Sequence, residues 1–448
     1  MKGAPMPTIL EEYIQKHPGS ARRQQESNDM FPGGVTHDNR YVTPFPIYVT
    51  HGEGPLKWDV DGNEYVDYVS GHGALILGHS HPAIASAVAN QVGRGTHLGA
   101  NTEEELRWGR AIKHLMPSVE KMRCHSSGTE ATLMALRMAR AYTGKSKVVK
   151  FDEHFHGWHD YAVSVAGRTV PGVPEATSSS MVVIPPDLGE VEKVLSQDDD
   201  IAAVILEPTG AHYGQLPINV PQFLSDLRRI TRSHGVLLIM DEVVTGFRIH
   251  PGGAQGKYGI DPDLTTMAKI VAGGLPGGVV GGRADIIDMI AFKDDPDWNA
   301  RSRIAHPGTF NANPLSAAAG ATCLEMIANE PINQRADEAA AALKKGLNDT
   351  FSRLEVAGHA HGISSLVHMT LEDCSCDREV CDMPHPEIKA AGAPAKTIAL
   401  KRAFMNEGID LMGRGSFIVS STHTEKEVGR TLEAFEGVLS KMRAEGVV

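Results

Sequence analysis

Lys269 closes the run Asp263-Leu264-Thr265-Thr266-Met267-Ala268 and is followed by the glycine-rich stretch Ala272-Gly273-Gly274-Leu275-Pro276-Gly277-Gly278. Upstream, the apolar run Val236-Leu237-Leu238-Ile239-Met240 ends in Asp241-Glu242-Val243. An amine at the end of one buried strand and a carboxylate at the end of another suit pyridoxal phosphate. The lysine forms a Schiff base with the aldehyde, and the aspartate keeps the pyridinium nitrogen protonated so that the ring accepts electrons. Taken alone, Lys269 is one of 43 Lys and Arg residues and could simply reach for solvent. The neutral segment before it and the small residues around it, which let a cofactor approach, argue for the chemical role.

A second group sits at His125-Ser126-Ser127-Gly128-Thr129-Glu130, between a strand around Met122-Arg123-Cys124 and a helix with Ala131, Met134, Met138 and Ala141 along one face. A Ser-Gly-Thr turn opening a helix offers unpaired backbone N–H groups, a hydroxyl and the positive end of the helix dipole, all suited to a phosphate. By itself the turn reads better as an ordinary N-cap; beside the lysine and aspartate, the phosphate reading is favoured. The loop His154-Phe155-His156-Gly157-Trp158-His159-Asp160 follows another strand end. Phe155 could lie on the face of a planar ring, with His156 beside it and Gly157 allowing close approach. A metal site there would need a carboxylate at a definable spacing, which Asp160 alone does not supply. Glu207 ends the next strand and could orient the ring or solvate the strand terminus. Functional groups thus recur at strand ends, and ligands of open α/β sheets bind outside the carboxyl ends of strands.

The elements that must carry these groups follow from hydrophobic pattern. Residues 8–30 read as one amphipathic helix punctuated by Ile9, Leu10, Tyr13 and Ile14, ended by Phe31-Pro32-Gly33-Gly34. Short strands are expected at Ile47-Tyr48-Val49 and at Pro55–Val60, the latter forming a hairpin with Glu64–Tyr68 across Asp61-Gly62-Asn63. Nearly continuous apolar runs at Val148–Phe151, Met181–Ile184, Ala202–Leu206, Val236–Met240 and Gly278–Gly281 read as strands buried on both faces. Helical segments separate them, so the expectation is an α/β fold, a mostly parallel sheet flanked by helices. The last third gives an alanine-rich helix at Ala336–Phe351, short strands, and a final helix to Ala444 capped by Thr424 with Glu427. The organisation expected is an amino-terminal segment (1–82) packing with a small α+β domain (336–448), and a large cofactor-binding domain (83–335).

The 448 residues are 41% hydrophobic and 22% charged, with a net charge of −12 and no long basic block, which disfavours nucleic acid and anionic membrane as partners. No run long enough to span a membrane occurs, and Met1–Pro18 lacks a basic then apolar leader pattern, so a cytoplasmic location is expected. Five cysteines do not make a disulfide framework. Cys374, Cys376, Cys381 and His385 lack the paired Cys-x2-Cys spacing of zinc sites and read as a surface loop, so no metal is expected.

Together these residues resemble the class III (subgroup II) aminotransferases of fold type I, from Gly33-Gly34-Val35 to the final helix. Within them the chain is most similar to the branch of glutamate-1-semialdehyde aminomutase and D-phenylglycine aminotransferase. Ser70-Gly71-His72-Gly73-Ala74-Leu75-Ile76-Leu77-Gly78-His79, Glu153–Asp160 and Gly413-Arg414-Gly415-Ser416 carry the likeness. The resemblance implies that Lys269 holds the cofactor aldehyde, that Asp241 pairs with the ring nitrogen, and that Val243 packs on the ring face opposite Phe155. It implies a phosphate site from Ser127, Gly128 and Thr129. It further implies that Thr309, in Gly308-Thr309-Phe310-Asn311, reaches the cofactor phosphate of a neighbouring subunit, which requires at least a homodimer. Arg40 takes the place of the branch's carboxylate-binding arginine, with His37, His72 and Arg414 expected near the same opening; guanidinium and imidazole groups there favour a small anionic amine or amino acid. The chain departs from the family where Phe155 replaces a frequent tyrosine and Ser126 a frequent Asn or Gly. Three reactions therefore stay open on this scaffold: amino-group transfer first, elimination from a hydroxylated or phosphorylated amine or an aminophosphonate second, and an aminomutase third. A cofactor-sensing regulator would need a DNA-binding domain, for which the amino-terminal segment is too short and insufficiently basic.

Overall fold

The computed structural model describes residues 7–152, 154–210, 220–372 and 394–448, with Arg414 described for its backbone only. The chain forms two compact units, one from Pro82–Asn333 and one from Met1–His81 together with Gln334–Val448. The amino-terminal segment begins with two helices, Ile9–Lys16 and Pro18–Met30, where the pattern predicts one. Pro18 is the reason: its ring disfavours helical geometry in the residue before it, and His17 leaves the helix at φ −127°, ψ 44°. Strands β1 (Val49–Glu53), β2 (Leu56–Asp59) and β3 (Glu64–Asp67) follow. The expected hairpin is β2–β3, with Leu56 opposite Val66. The strand expected at Ile47–Val49 begins only at Val49.

The Pro82–Asn333 unit holds a seven-stranded sheet made of β4 (Lys121–His125), β5 (Lys147–Phe151), β6 (Met181–Ile184), β7 (Ile201–Leu206), β8 (Leu237–Asp241), β9 (Leu264–Ala268) and β10 (Gly278–Gly282). Their order is β4-β10-β9-β8-β7-β5-β6, and only β10 runs against its neighbours. All residues of β7, β8, β9 and β10 are buried, which is why those runs carry almost no alternation. The register places β8 one residue later than the apolar pattern suggests, so Asp241 is its last strand residue. The helix Gly128–Thr143 lays Ala131, Met134, Ala135 and Met138 into the interior and stops at Gly144, which takes φ +70°. Met134 and Met138 join one cluster with Val148, Ile205, Ile239, Leu264 and Val280, so the phosphate-turn helix is bolted to the middle of the sheet. Truncating such a side chain, as in Met138→Ala, costs about 2–5 kcal/mol.

The helix Ile332–Leu354 belongs to the other unit from Gln334 on, and there it precedes β11 (His359–His361), β12 (Leu366–Thr370), β13 (Ile409–Asp410) and β14 (Ser416–Ile418). Strand β13 pairs in parallel with β3, Asp410 opposite Asp67, joining the two ends of the chain in one four-stranded sheet. Ile9, Val66, Leu343, Phe351, Phe404, Phe417 and Phe435 share a single core. The last helix, Glu425–Ala444, carries the capping box of Thr424 and Glu427 that the sequence predicts. The segment with Cys374, Cys376, Cys381 and His385 lies outside the described residues.

Candidate active site

Strands β4, β5, β7, β8 and β9 all run the same way, so their carboxyl ends fall on one edge of the sheet. That edge receives Ser127-Gly128-Thr129 after β4, the 154–160 loop after β5, Glu207 after β7, Asp241 at the end of β8 and Lys269 after β9.

Asp241 is 3% exposed and accepts three hydrogen bonds. His156 Nδ1 lies 2.7 Å from Oδ2, while the Val243 amide and the Thr266 hydroxyl each donate to Oδ1 at 3.1 Å. A carboxylate only accepts, so Nδ1 of His156 carries the proton and donates. Burial holds the His156 imidazole below its ordinary range, with Asp241 opposing, so the ring is neutral and its buried Nε2 is an acceptor without a hydrogen-bond partner among the described residues. Thr266 sits opposite Asp241 in the β8–β9 ladder. It is a participant the sequence reading missed, and its signal was a hydroxyl pair, Thr265-Thr266, inside a wholly buried strand.

Lys269 has left-handed backbone, φ +56°, which turns it out of β9 into a short 3-10 turn. For a residue with a Cβ this conformation is strained, and such strain collects at functional positions. Burial depresses the Lys269 amine below its ordinary range; Asp241 and Glu207 pull the other way, and the guanidinium of Arg248 adds to the depression. Arg248 is fully buried, and the Asn333 amide donates to its carbonyl and to that of Phe247. Sequence spacing did not single it out.

Two glycines bring the remaining pieces together. A Cβ at Gly128 would stand 3.0 Å from Val243 Cγ2 and 3.3 Å from Ala268 Cβ, so the phosphate turn, the residue beside Asp241 and the residue before Lys269 meet at one point. A Cβ at Gly157 would stand 2.6 Å from Thr129 Oγ1, and its φ of +100° excludes side chains on a second ground. The 154–160 loop is thereby seated on the first turn of the helix Gly128–Thr143. Thr132 completes the seat by donating to the His156 carbonyl at 2.6 Å. Glu207 accepts from the Phe155 amide at 2.8 Å, and its own amide donates to His154 Nδ1. Phe155 is 53% exposed despite being an aromatic ring at the heart of this cluster. The Ser127 hydroxyl caps the helix by accepting from the Glu130 amide, so Ser127 offers chiefly its position, and the first-turn amides of Gly128 and Thr129 are left to meet an anion.

These features fit pyridoxal phosphate: an amine of lowered basicity, a fixed carboxylate, an aromatic face open on one side, and a side-chain-free helix start. Gly308 and Thr309 do not join them within the chain. They stand exposed on the 303–313 loop, where the Thr309 carbonyl accepts from His97 and Arg123 donates to His306 at 3.0 Å. Arg40, His37 and His72 belong to the other unit. There the His37 and His72 rings stack at 4.7 Å, and Arg40, exposed, donates to the Thr36 hydroxyl at 2.9 Å. The Arg414 side chain is outside the description. No helix among the described residues is long and apolar enough to cross a membrane.

The pattern defining the family described as "Aminotransferase class-III" matches residues 37–373. The glutamate-1-semialdehyde 2,1-aminomutase 2 of Brevibacillus brevis is 37% identical over 436 residues, 93% of this chain and 97% of that protein. Among solved structures, an omega-transaminase from Sphaerobacter thermophilus superposes with a TM-score of 0.86 at 32% identity, covering 96% of this chain and 99% of that one. A transaminase solved with PLP bound gives 0.85 at 30% identity, with the same coverage.

Proposed function

We propose for this chain, which belongs to the class-III aminotransferase family and takes pyridoxal phosphate as its cofactor, the transfer of an amino group from a small anionic amine or amino acid. The cofactor, when bound, supplies an aldehyde carbon and a protonatable ring that takes up electron density. Lys269 Nζ would hold the cofactor through its aldehyde and would take and return the proton of the substrate carbon. A buried lysine of lowered basicity serves both tasks, since a neutral amine is the nucleophile and the base. Asp241 holds the ring nitrogen's proton, and His156, Thr266 and the Val243 amide fix the direction in which its carboxylate faces. Val243 and Phe155 bound the ring, Glu207 positions the 155 loop, and the amides of Gly128 and Thr129 take the phosphate. Arg40 pairs with the substrate's anionic group, with His37, His72 and Arg414 assigned to the same opening.

The observation that carries this reading is the meeting of Gly128, Val243 and Ala268 beside the Asp241 hydrogen-bond set. The working unit in this proposal is a homodimer in which Thr309 of one subunit serves the cofactor phosphate of the other. Support comes from the exposed apolar side chains Val92, Leu98, Leu106 and Phe310 in the unit that carries the loop.

A second reading, an aminomutase, is favoured by the name of the Brevibacillus relative. Single-turnover spectroscopy with a panel of amines and no keto acid separates the cases. Conversion of the cofactor to its pyridoxamine form with release of a keto product supports transfer. Rearrangement of glutamate 1-semialdehyde with no net keto product supports the mutase. Ammonia release without pyridoxamine formation refutes both and leaves an eliminating lyase.

A further inference from the structure

Trp158 and His159 leave the 154–160 loop in opposite directions: Trp158 is 76% exposed, whereas His159 is turned inward and 8% exposed. The His159 ring meets the helix Gly128–Thr143 at Thr132, with Nε2 3.3 Å from the hydroxyl oxygen. That hydroxyl stands within reach of three carbonyls, those of Gly128 at 3.1 Å, Thr129 at 3.0 Å and His156 at 2.6 Å, and has one hydrogen to give. Two oxygens 2.6 Å apart need that hydrogen between them, so it goes to His156. The hydrogen of the Nε2 contact must then come from the histidine. Burial, reinforced by His156 and Arg140, pushes His159 down to about 4, so the ring is neutral and carries one hydrogen. The Ala162 amide donates to the His159 carbonyl at 2.8 Å and also reaches Nδ1 at 3.3 Å, which leaves that hydrogen on Nε2. Lys150, buried on β5, donates to the Ala162 and Ser164 carbonyls and so holds this return of the loop in place.

We infer that His159 is a positioning residue for the cofactor ring, acting on Asp241 through Thr132 and His156. A threonine hydroxyl inside a helix ordinarily donates back to a carbonyl of its own preceding turn, which here means Gly128 or Thr129. The hydrogen bond that Thr132 accepts from His159 strengthens the one it donates outward to the loop. His156 is thereby held at both ends, its carbonyl by Thr132 and its Nδ1 by Asp241 Oδ2 at 2.7 Å, so it cannot pivot and the carboxylate keeps its aim. This rests on the proposed function only in taking Asp241 to serve the ring nitrogen.

Four substitutions test it. His159→Gln keeps a donor where Nε2 stands, His159→Asn keeps one only where Nδ1 stands, His159→Phe keeps none, and Thr132→Val removes the hydroxyl at constant shape. Each variant is read by the nitrogen resonances of the His156 ring, with and without cofactor, and by the dissociation constant of pyridoxal phosphate. His159→Phe, His159→Asn and Thr132→Val should each move the His156 Nδ1 resonance and raise the dissociation constant about tenfold, the size of one lost hydrogen bond. His159→Gln should behave as the native chain. Combining His159→Phe with Thr132→Val should cost no more than either alone, because members of one chain of hydrogen bonds are not additive. The melting temperature identifies a variant that fails to fold, and the Gln and Asn pair, alike in polarity, decides the question if His159→Phe is one. An unmoved His156 resonance, equal behaviour of the Gln and Asn variants, or additive losses in the double variant overturns the inference. A moved resonance with native cofactor affinity also overturns it, since the relay then stops short of the ring. Absence of pyridoxamine formation by the native enzyme, with these shifts observed, removes amino transfer and leaves His159 in its role.

Discussion

Replacing Asp241 by asparagine tests the centre of the site, because the two side chains share shape and differ in charge and in one hydrogen-bonding face. In the native chain Oδ1 takes the Val243 amide and the Thr266 hydroxyl, and Oδ2 takes His156 Nδ1. An asparagine whose oxygen keeps the two donors on the Oδ1 side turns its NH2 toward a ring nitrogen that also carries hydrogen. His156 can answer only by moving its proton to Nε2, where no acceptor waits among the described residues. The structural cost is one buried donor without a partner, about 1–3 kcal/mol. The catalytic cost is separate. A unit charge pair about 4 Å apart in an effective dielectric of about 20 is worth about 4 kcal/mol, or roughly a thousandfold in rate. The variant should thus lose about three orders of magnitude in kcat with a modest fall in denaturant stability, and nitrogen NMR of the His156 ring should show the proton moved from Nδ1 to Nε2. A kcat within tenfold of the native value, with the tautomer unchanged, would refute the assignment of Asp241 to the ring nitrogen.

Lys269→Ala should abolish turnover, and borohydride should no longer fix the cofactor to the chain; mass spectrometry showing a reduced adduct at another lysine, with activity kept, would contradict the role given to Lys269. Arg40→Ala should raise KM for a carboxylate-bearing amine about 10- to 150-fold more than for an uncharged amine of similar shape, the equivalent of about 1.5–3 kcal/mol for a charge-assisted pair. Gly157→Ala should lower apoenzyme stability by about 1–3 kcal/mol and weaken cofactor binding, since its methyl group meets Thr129 and its φ is +100°; an unchanged melting temperature would mean the loop is not seated there. Acid should unfold the protein steeply. Burial pushes His125 down to about 3 and His159 and His423 to about 4, so between those values and 6.5 the unfolded chain binds protons that the folded chain refuses. Stability then rises with pH across that window, by about 1.4 kcal/mol per histidine per pH unit, and His125→Phe should flatten the slope measured by urea unfolding between pH 4 and 6.

How far the site could be read from the chain depended on how local each constraint was. Asp241 was visible because it ends an unbroken apolar run, and Lys269 because it closes a neutral segment and is followed by a glycine-rich one; a charge at either position needs a reason. The mostly parallel sheet was visible for the same cause: β7 and β8 are buried on both faces and carry no alternation. The bond between His156 and Asp241 was not visible, because β5 and β8 are separated in the sheet by β7 and no spacing in sequence encodes that crossing. Thr266 was in plain view, but its partner is set by the register of β8 on β9. Arg248 was hidden because a guanidinium between Phe247 and Ile249 reads as a surface charge, whereas the fold encloses it. The break at His17 needed only attention to Pro18, whose steric demand outweighs the continuing amphipathic pattern.

The placing of β10 sets a timetable for the newborn chain. Among the described strands, β4, which leads into the phosphate turn, is hydrogen-bonded solely to β10, with His125 opposite Gly278. A ribosome delivers β4 long before its partner, so until residue 282 has emerged that strand has no neighbour in the sheet, and the turn before Gly128 is held only from the helix side, through the packing of Met134 and Met138 on β5, β7, β8 and β9. The glycines of β10 suit this late arrival: at Gly278 a side chain would collide with the Ser127 carbonyl, so the last strand can slide into a slot that its predecessors have already shaped. Cofactor capture is thereby postponed to the end of sheet assembly, and a nascent chain halted before β10 should carry every named ligand of the strand ends yet retain no cofactor.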